Sequence, residues 1–176
     1  LHAIKVKENK KIITYAYDIN PEHRSIVSEM KIATYVCESI KEAIKASDLI
    51  ILAIPVGAMK SVADLISPHL KPEALVTDTG STKLSVIRDV KSSIPNNNYF
   101  IPSHPLAGTE YSGPKSGFST LFENRYWLII CDTETKQTKE LSKFFNRLGS
   151  IVEIVNVDYH DRILAITSHL PHLIAY

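Results

Sequence analysis

The sequence predicts an α/β fold built on a doubly wound, mainly parallel sheet, and two observations predict it. Between residues 11 and 102, short β-branched or apolar runs alternate with segments of helical composition over short connections, the pattern of repeated βαβ units. The run at 48–55, DLIILAIP, is apolar at every position between its acidic start and its proline, as befits a strand covered on both faces.

Taken in order, residues 11–17 (KIITYAY) are rich in β-branched and aromatic side chains and end at the turn cluster Asp18, Ile19, Asn20, Pro21. A strand therefore gives way to a loop, and a helix starts near Pro21. Residues 28–36 match neither a clean helix nor a turn. Residues 39–46 are helical in composition and deliver into the apolar strand that Pro55 ends. Apolar side chains then recur at helical spacing over 58–66, stopping at Ser67 and Pro68. Residues 74–78 form a further strand, and Thr79, Gly80, Ser81 and Thr82 form a loop that feeds a helix through Val90. After a turn at 96–99, residues 99–102 make a fourth strand. Residues 126–130 and 151–155 are two more strands flanking a helix over 138–148, whose end Gly149 marks. Beyond Asp158 the pattern is helical to Tyr176.

Composition narrows the function. A chain of 176 residues, 44% of them hydrophobic, buries a core without needing disulfides or metals. Twenty basic against nineteen acidic side chains leave a formal charge of +1 with no basic stripe, which argues against nucleic acid as a partner. No apolar run approaches the ~20 residues of a membrane span. Cys37 and Cys131 belong to no CxxC and to no His-Cys cluster at zinc spacing, so no metal is expected and a reducing, cytoplasmic setting is the default. Residues 1–5 read as the interior of a helix. We therefore expect the first strand and the glycine-rich G-x-G-x-x-G turn, about 20 residues ahead of the acid they serve, to lie outside this chain.

Ligands of parallel sheets bind at the carboxyl ends of the strands, and here those ends carry small or polar residues: Asp18, Ala53 with Pro55, residues 78–81, and Ser103 with His104. Asp18, between a strand and a helix, stands where a dinucleotide-binding unit places the acid that accepts from the adenosine ribose and disfavours a 2′-phosphate. A helix cap or turn role accounts for it equally. His104 lies between a strand end and a proline-glycine loop, placed to exchange a proton near neutral pH, although a lone histidine also serves structure. Gly80 permits close backbone approach to a ligand, or satisfies a turn.

Three motifs in order, Thr79-Gly-Ser-Thr-Lys83, then Ser103-His-Pro-Leu-Ala-Gly-Thr-Glu110 with Ser112-Gly-Pro114, then His160-Asp161 with Ser168-His-Leu-Pro-His172, closely resemble the prephenate and arogenate dehydrogenases of tyrosine biosynthesis. The resemblance covers nearly the whole chain. It implies a Rossmann-type NAD-binding domain over residues 1–157, with 158–176 as the first helix of an all-helical substrate and dimerisation domain. It implies oxidative decarboxylation of prephenate or arogenate with hydride transfer to NAD, NADP being the alternative, in a cytoplasmic homodimer. By the same likeness His104 is the catalytic histidine on the ring hydroxyl, and Ser81 touches both that hydroxyl and the histidine. Glu110 and Thr109 belong to the substrate pocket. His172 and His169 lie on the helix facing the site, with helix packing as the plainer role for each. Ile54 and Pro55 pass beneath the dinucleotide, while Thr79, Gly80 and Ser81 approach the nicotinamide. The substrate-carboxylate arginine expected in the second domain has no match here; Arg125 reads as a solvated turn residue and Trp127 as core. Two rival functions are another NAD-dependent hydroxyacid dehydrogenase and a non-catalytic NAD-binding regulatory module.

Overall fold

The computed structural model describes residues 12–45, 47–109, 111–170 and 174. Strand β1 (Tyr15–Ala16) pairs in parallel with β2 (Tyr35–Val36). Strands β3 (Leu49–Leu52), β4 (Leu75–Asp78) and β5 (Tyr99–Phe100) form a parallel set in that order, with Leu49 opposite Leu75 and Leu75 opposite Tyr99. Strand β6 (Ser103–Pro105) runs antiparallel to β7 (Tyr126–Ile130), which is parallel to β8 (Ile151–Val155).

The fourth strand differs from the expectation. Pro102 has no N–H to give a ladder, so the parallel pairing with β4 ends at Ile101 and Pro102, and from Ser103 the chain pairs instead with β7 in the antiparallel sense. Across the break Ile101 N–H still donates to the Val76 carbonyl at 2.9 Å, and Ile130 N–H donates to the Pro102 carbonyl at 2.9 Å. The segment thus joins β4 to β7, and His104 sits within a strand instead of in the loop beyond one.

Alternate residues of β4 serve opposite faces, which is why the sheet is wound on both. Val76 packs with Met59, Ala63 and Ile66 of α3 (Met59–Ile66) and with Val86 and Val90 of the amphipathic helix Leu84–Lys91. Its neighbour Leu75 packs with Trp127, Ile129, and Leu141 and Phe145 of the helix Lys136–Arg147. Trp127 is 2% exposed and stacks on Phe145 with ring centroids 3.8 Å apart, so it is a core residue, as expected. The remaining helices are α1 (Pro21–Glu29), α2 (Ile40–Ile44) and the terminal Val157–Leu164; in chain order the helices Leu84–Lys91, Lys136–Arg147 and Val157–Leu164 are α4, α5 and α6. A π-helical turn over Ala165–His169 continues α6.

Local chemistry explains most boundaries. Asn20 caps α1 by accepting from Glu22 N–H, Pro21 takes the first helical position, and Ser39 caps α2 through Glu42 N–H. Thr135 and Thr138 close a reciprocal capping box on α5, and Gly149 follows the helix at φ 85°, a left-handed conformation that glycine adopts without penalty. Strand β2 was not foreseen. Helix α1 stops because Lys31, not a glycine, takes the left-handed position at φ 53°, donating to Ser28 O at 3.1 Å while Ile32 N–H reaches Val27 O at 3.2 Å. Thr14 and Thr34 then clamp β1 to β2 through reciprocal N–H to hydroxyl bonds of 3.2 and 2.9 Å.

Candidate active site

The site is built on Asp78, the last residue of β4. Its side chain is fully buried, and it forms an ion pair with the equally buried Lys83 five residues on. The same carboxylate accepts from Gly80 N–H at 2.8 Å and from Ser103 N–H at 3.2 Å, while Lys83 Nζ also donates to the Ser103 carbonyl at 2.8 Å. Each charge is thus compensated and hydrogen-bonded, the condition for burial of an ion pair. Burial pushes the Asp78 carboxyl up and the Lys83 ammonium down, and their mutual attraction opposes both shifts. Ser103 completes the knot: its hydroxyl donates to the Asp78 carbonyl at 2.8 Å, lies 2.9 Å from the Thr77 hydroxyl, and accepts from the Trp127 indole N–H at 3.0 Å. The loop at 79–82 and the start of β6 are therefore fastened to one rigid buried centre.

His104 follows Ser103 and is half-buried on β6, with its ring Nδ1 3.0 Å from Nε2 of His160, a buried residue of α6. His160 Nδ1 lies 2.7 Å from Asp161, whose two oxygens accept from Lys83 N–H and Leu84 N–H, both at 2.9 Å, at the start of α4. Burial lowers the His160 pKa against the pull of Asp161. For Asp161, burial raises the pKa, but the Leu84 N–H, His160 and the Lys83 N–H together outweigh it and hold the carboxyl below its ordinary value.

Of the predicted residues, Ser81 is exposed on the loop and Thr79 is half-buried, its N–H donating to the Leu52 carbonyl at 3.2 Å. Gly80 is buried: a Cβ there would lie 2.9 Å from Asp78 Oδ2 and 3.1 Å from Val56 Cγ2, so a need for glycine arises inside the protein itself. Pro55 is exposed and Ile54 half-buried just beyond β3, and a Cβ on the nearby Gly57 would meet nothing within 4 Å. Asp18 accepts from Asn20 N–H at 2.8 Å and lies 3.1 Å from His23 Nδ1, yet its side chain is 42% exposed, so the turn role is realised while the carboxylate stays accessible. Thr109 is exposed, with its hydroxyl donating to the Tyr111 carbonyl at 2.9 Å. Arg125 is an exposed turn residue, as anticipated. Glu110, His172 and the His169 side chain lie outside the described residues.

Sequence reasoning missed three parts of this arrangement: the Asp78–Lys83 pair, the contact of His160 with His104, and the bracing of Asp161 on α4. The five-residue spacing of Asp78 and Lys83 across a glycine loop was an available signal. Nothing local announces a contact between positions 56 residues apart.

Residues 2–155 match the family model for the prephenate dehydrogenase nucleotide-binding domain. The chain belongs to that family. A protein named cyclohexadienyl dehydrogenase, from Zymomonas mobilis, is 36% identical over 162 residues, which cover 91% of this chain and 55% of that protein. A crystal structure of prephenate dehydrogenase from Aquifex aeolicus superposes with a TM-score of 0.86 at 31% identity, covering 94% of this chain and 60% of the other. A second, in complex with hydroxyphenyl propionate and NAD+, gives 0.85 at 29% identity, covering 95% and 59%. The prephenate dehydrogenase relatives confirm the Rossmann-type fold, and this chain spans a little over half the length of each of these proteins.

Proposed function

We propose that this chain carries the NAD-binding part and the catalytic histidine of a dehydrogenase that oxidatively decarboxylates prephenate or arogenate. The observation that carries the reading is His104, a half-buried imidazole hydrogen-bonded at 3.0 Å to a second, buried histidine, in a chain of this family.

The residues present suit a dinucleotide. An accessible carboxylate at Asp18 can accept from ribose hydroxyls, Ile54 and Pro55 offer an apolar platform with open space beside Gly57, and Thr79, Gly80 and Ser81 offer small polar contacts on the nicotinamide side. Bound NAD supplies the acceptor for the hydride that leaves the hydroxyl-bearing ring carbon. His104 accepts the hydroxyl proton as charge builds on that oxygen, and Ser81 hydrogen-bonds the same oxygen. The electron pair of the bond to the ring carboxylate flows into the ring as carbon dioxide departs, and the proton held at His104 returns to the phenol oxygen. Aromatisation drives the reaction, so the residues have to align and polarise the substrate, with Thr109, Glu110, His169 and His172 as its further contacts.

The reading extends to a helical second unit beginning at α6 and a homodimer formed through it. Exposed Ile163, Ile166 and Leu170, at spacings of three and four, give α6 and its continuation an apolar face for other helices.

The test is NADH absorbance when the full-length protein meets NAD with prephenate or with arogenate. Turnover that His104→Ala reduces by roughly 10²–10⁴-fold supports the proposal. Binding of NAD without turnover of either substrate would favour the regulatory module.

A further inference from the structure

We propose that His160 is a positioning residue which, braced by Asp161, holds His104 in the tautomer protonated at Nδ1, so that Nε2 is the ring atom that takes the substrate proton. This rests on the functional reading above only in what the proton is for; the tautomer follows from hydrogen-bond directions and the burial of His160.

A carboxylate accepts and does not donate, so the 2.7 Å contact between Asp161 and His160 requires the proton on His160 Nδ1. Asp161 cannot turn away to relax this, because Lys83 N–H and Leu84 N–H hold its two oxygens at 2.9 Å. The α4 N-terminus adds a favourable partial positive charge. His160 has no exposed side-chain surface and burial disfavours its charged form, so it is neutral and carries its lone pair on Nε2. That nitrogen is the one 3.0 Å from His104 Nδ1, so His104 must be the donor. In a neutral imidazole a protonated Nδ1 leaves Nε2 as the acceptor.

The arrangement does two things. It prevents His104 from occupying the other tautomer, in which Nε2 bears a hydrogen and can take nothing. Once Nε2 is protonated, the Nδ1–H bond to His160 becomes charge-assisted and strengthens, with the Asp161 charge behind it, so the imidazolium is stabilised at the moment it forms. Atoms balance simply: one O–H bond breaks and one Nε2–H bond forms, and no proton leaves Nδ1.

The test uses the full-length protein labelled with ¹⁵N in its histidine rings, alongside His160→Leu, which removes the acceptor, and His160→Gln, which restores one. At a pH where His104 is neutral, its Nδ1 is expected in the protonated chemical-shift range in the wild type and in His160→Gln. Loss of that preference is expected in His160→Leu. Steady-state rates should follow, with kcat lowered roughly 10- to 100-fold in His160→Leu, less than the loss from removing the base itself, KM nearly unchanged, and most of the rate recovered in His160→Gln. A wild-type His104 protonated at Nε2 overturns the proposal, as does an unaltered tautomer in His160→Leu. Should His160→Leu not fold, the wild-type and Gln spectra still decide. A locked tautomer in a protein that turns over neither substrate would sink the functional reading and leave this one standing.

Discussion

Lys83→Met is the most informative single perturbation of the scaffold. The substitution keeps the unbranched shape of the stem and removes the ammonium, leaving the Asp78 carboxylate buried with only the Gly80 and Ser103 N–H groups upon it. Breaking one side of a fully buried pair costs about 3–5 kcal/mol. The two remaining N–H bonds place this case toward the lower end, while loss of the bond to the Ser103 carbonyl acts against it. For a chain of this length that is roughly 6–20 °C in melting temperature. Thermal unfolding followed by circular dichroism measures it, and the pair Lys83→Met with Asp78→Asn closes a double-mutant cycle. The double variant should be more stable than the sum of its singles predicts, because each single leaves a lone buried charge and the double leaves none. A loss below about 1 kcal/mol in Lys83→Met, of the size seen for exposed pairs, would refute the claim that this pair organises the site.

Three further outcomes follow from named contacts. Gly80→Ala places a methyl 2.9 Å from a carboxylate that cannot move, so it should destabilise by about 1–3 kcal/mol in the same melting experiment, and no loss would mean the loop yields. His160 has a folded-state pKa below its ordinary value, so below about pH 6.5 the unfolded chain binds a proton that the folded chain refuses. Stability should therefore fall as pH drops from 6.5 through the lowered folded pKa, and melts at matched pH values should show a shallower fall in His160→Gln. Asp18→Ser should lower kcat/KM for NAD relative to NADP by roughly 10- to 100-fold, the worth of charge-assisted bonds to ribose hydroxyls; an unchanged ratio removes Asp18 from the cofactor site.

Much of the framework was legible because it is local. The apolar run that became β3 and Gly149 after α5 each declare themselves within a few residues, whereas the cap at Thr135 was not read and the helix starts two residues earlier than expected. Strand β2 escaped because a lysine takes the left-handed turn that glycine usually marks. The strand containing His104 escaped because Pro102 interrupts its ladder, and a proline reads locally as an end. At the site, His104 and the glycine loop were legible as motifs, and their chemical types were enough to suggest proton exchange. What sets their orientation was not: Asp78 was read as a polar strand end on the ligand-binding edge, yet its carboxylate faces a buried lysine, and His160 reaches His104 from α6. Such contacts depend on how α6 packs against the start of α4, and no periodicity along the chain encodes that.

The most direct measurement is a crystal structure of the full-length protein with NAD and a hydroxyphenyl ligand bound. The account predicts the dinucleotide across Pro55 and Gly80, its ribose on Asp18, and the His104 ring within hydrogen-bonding distance of the ligand hydroxyl. A His104 ring turned from the nicotinamide, with no space between them for a cyclohexadiene, would contradict it.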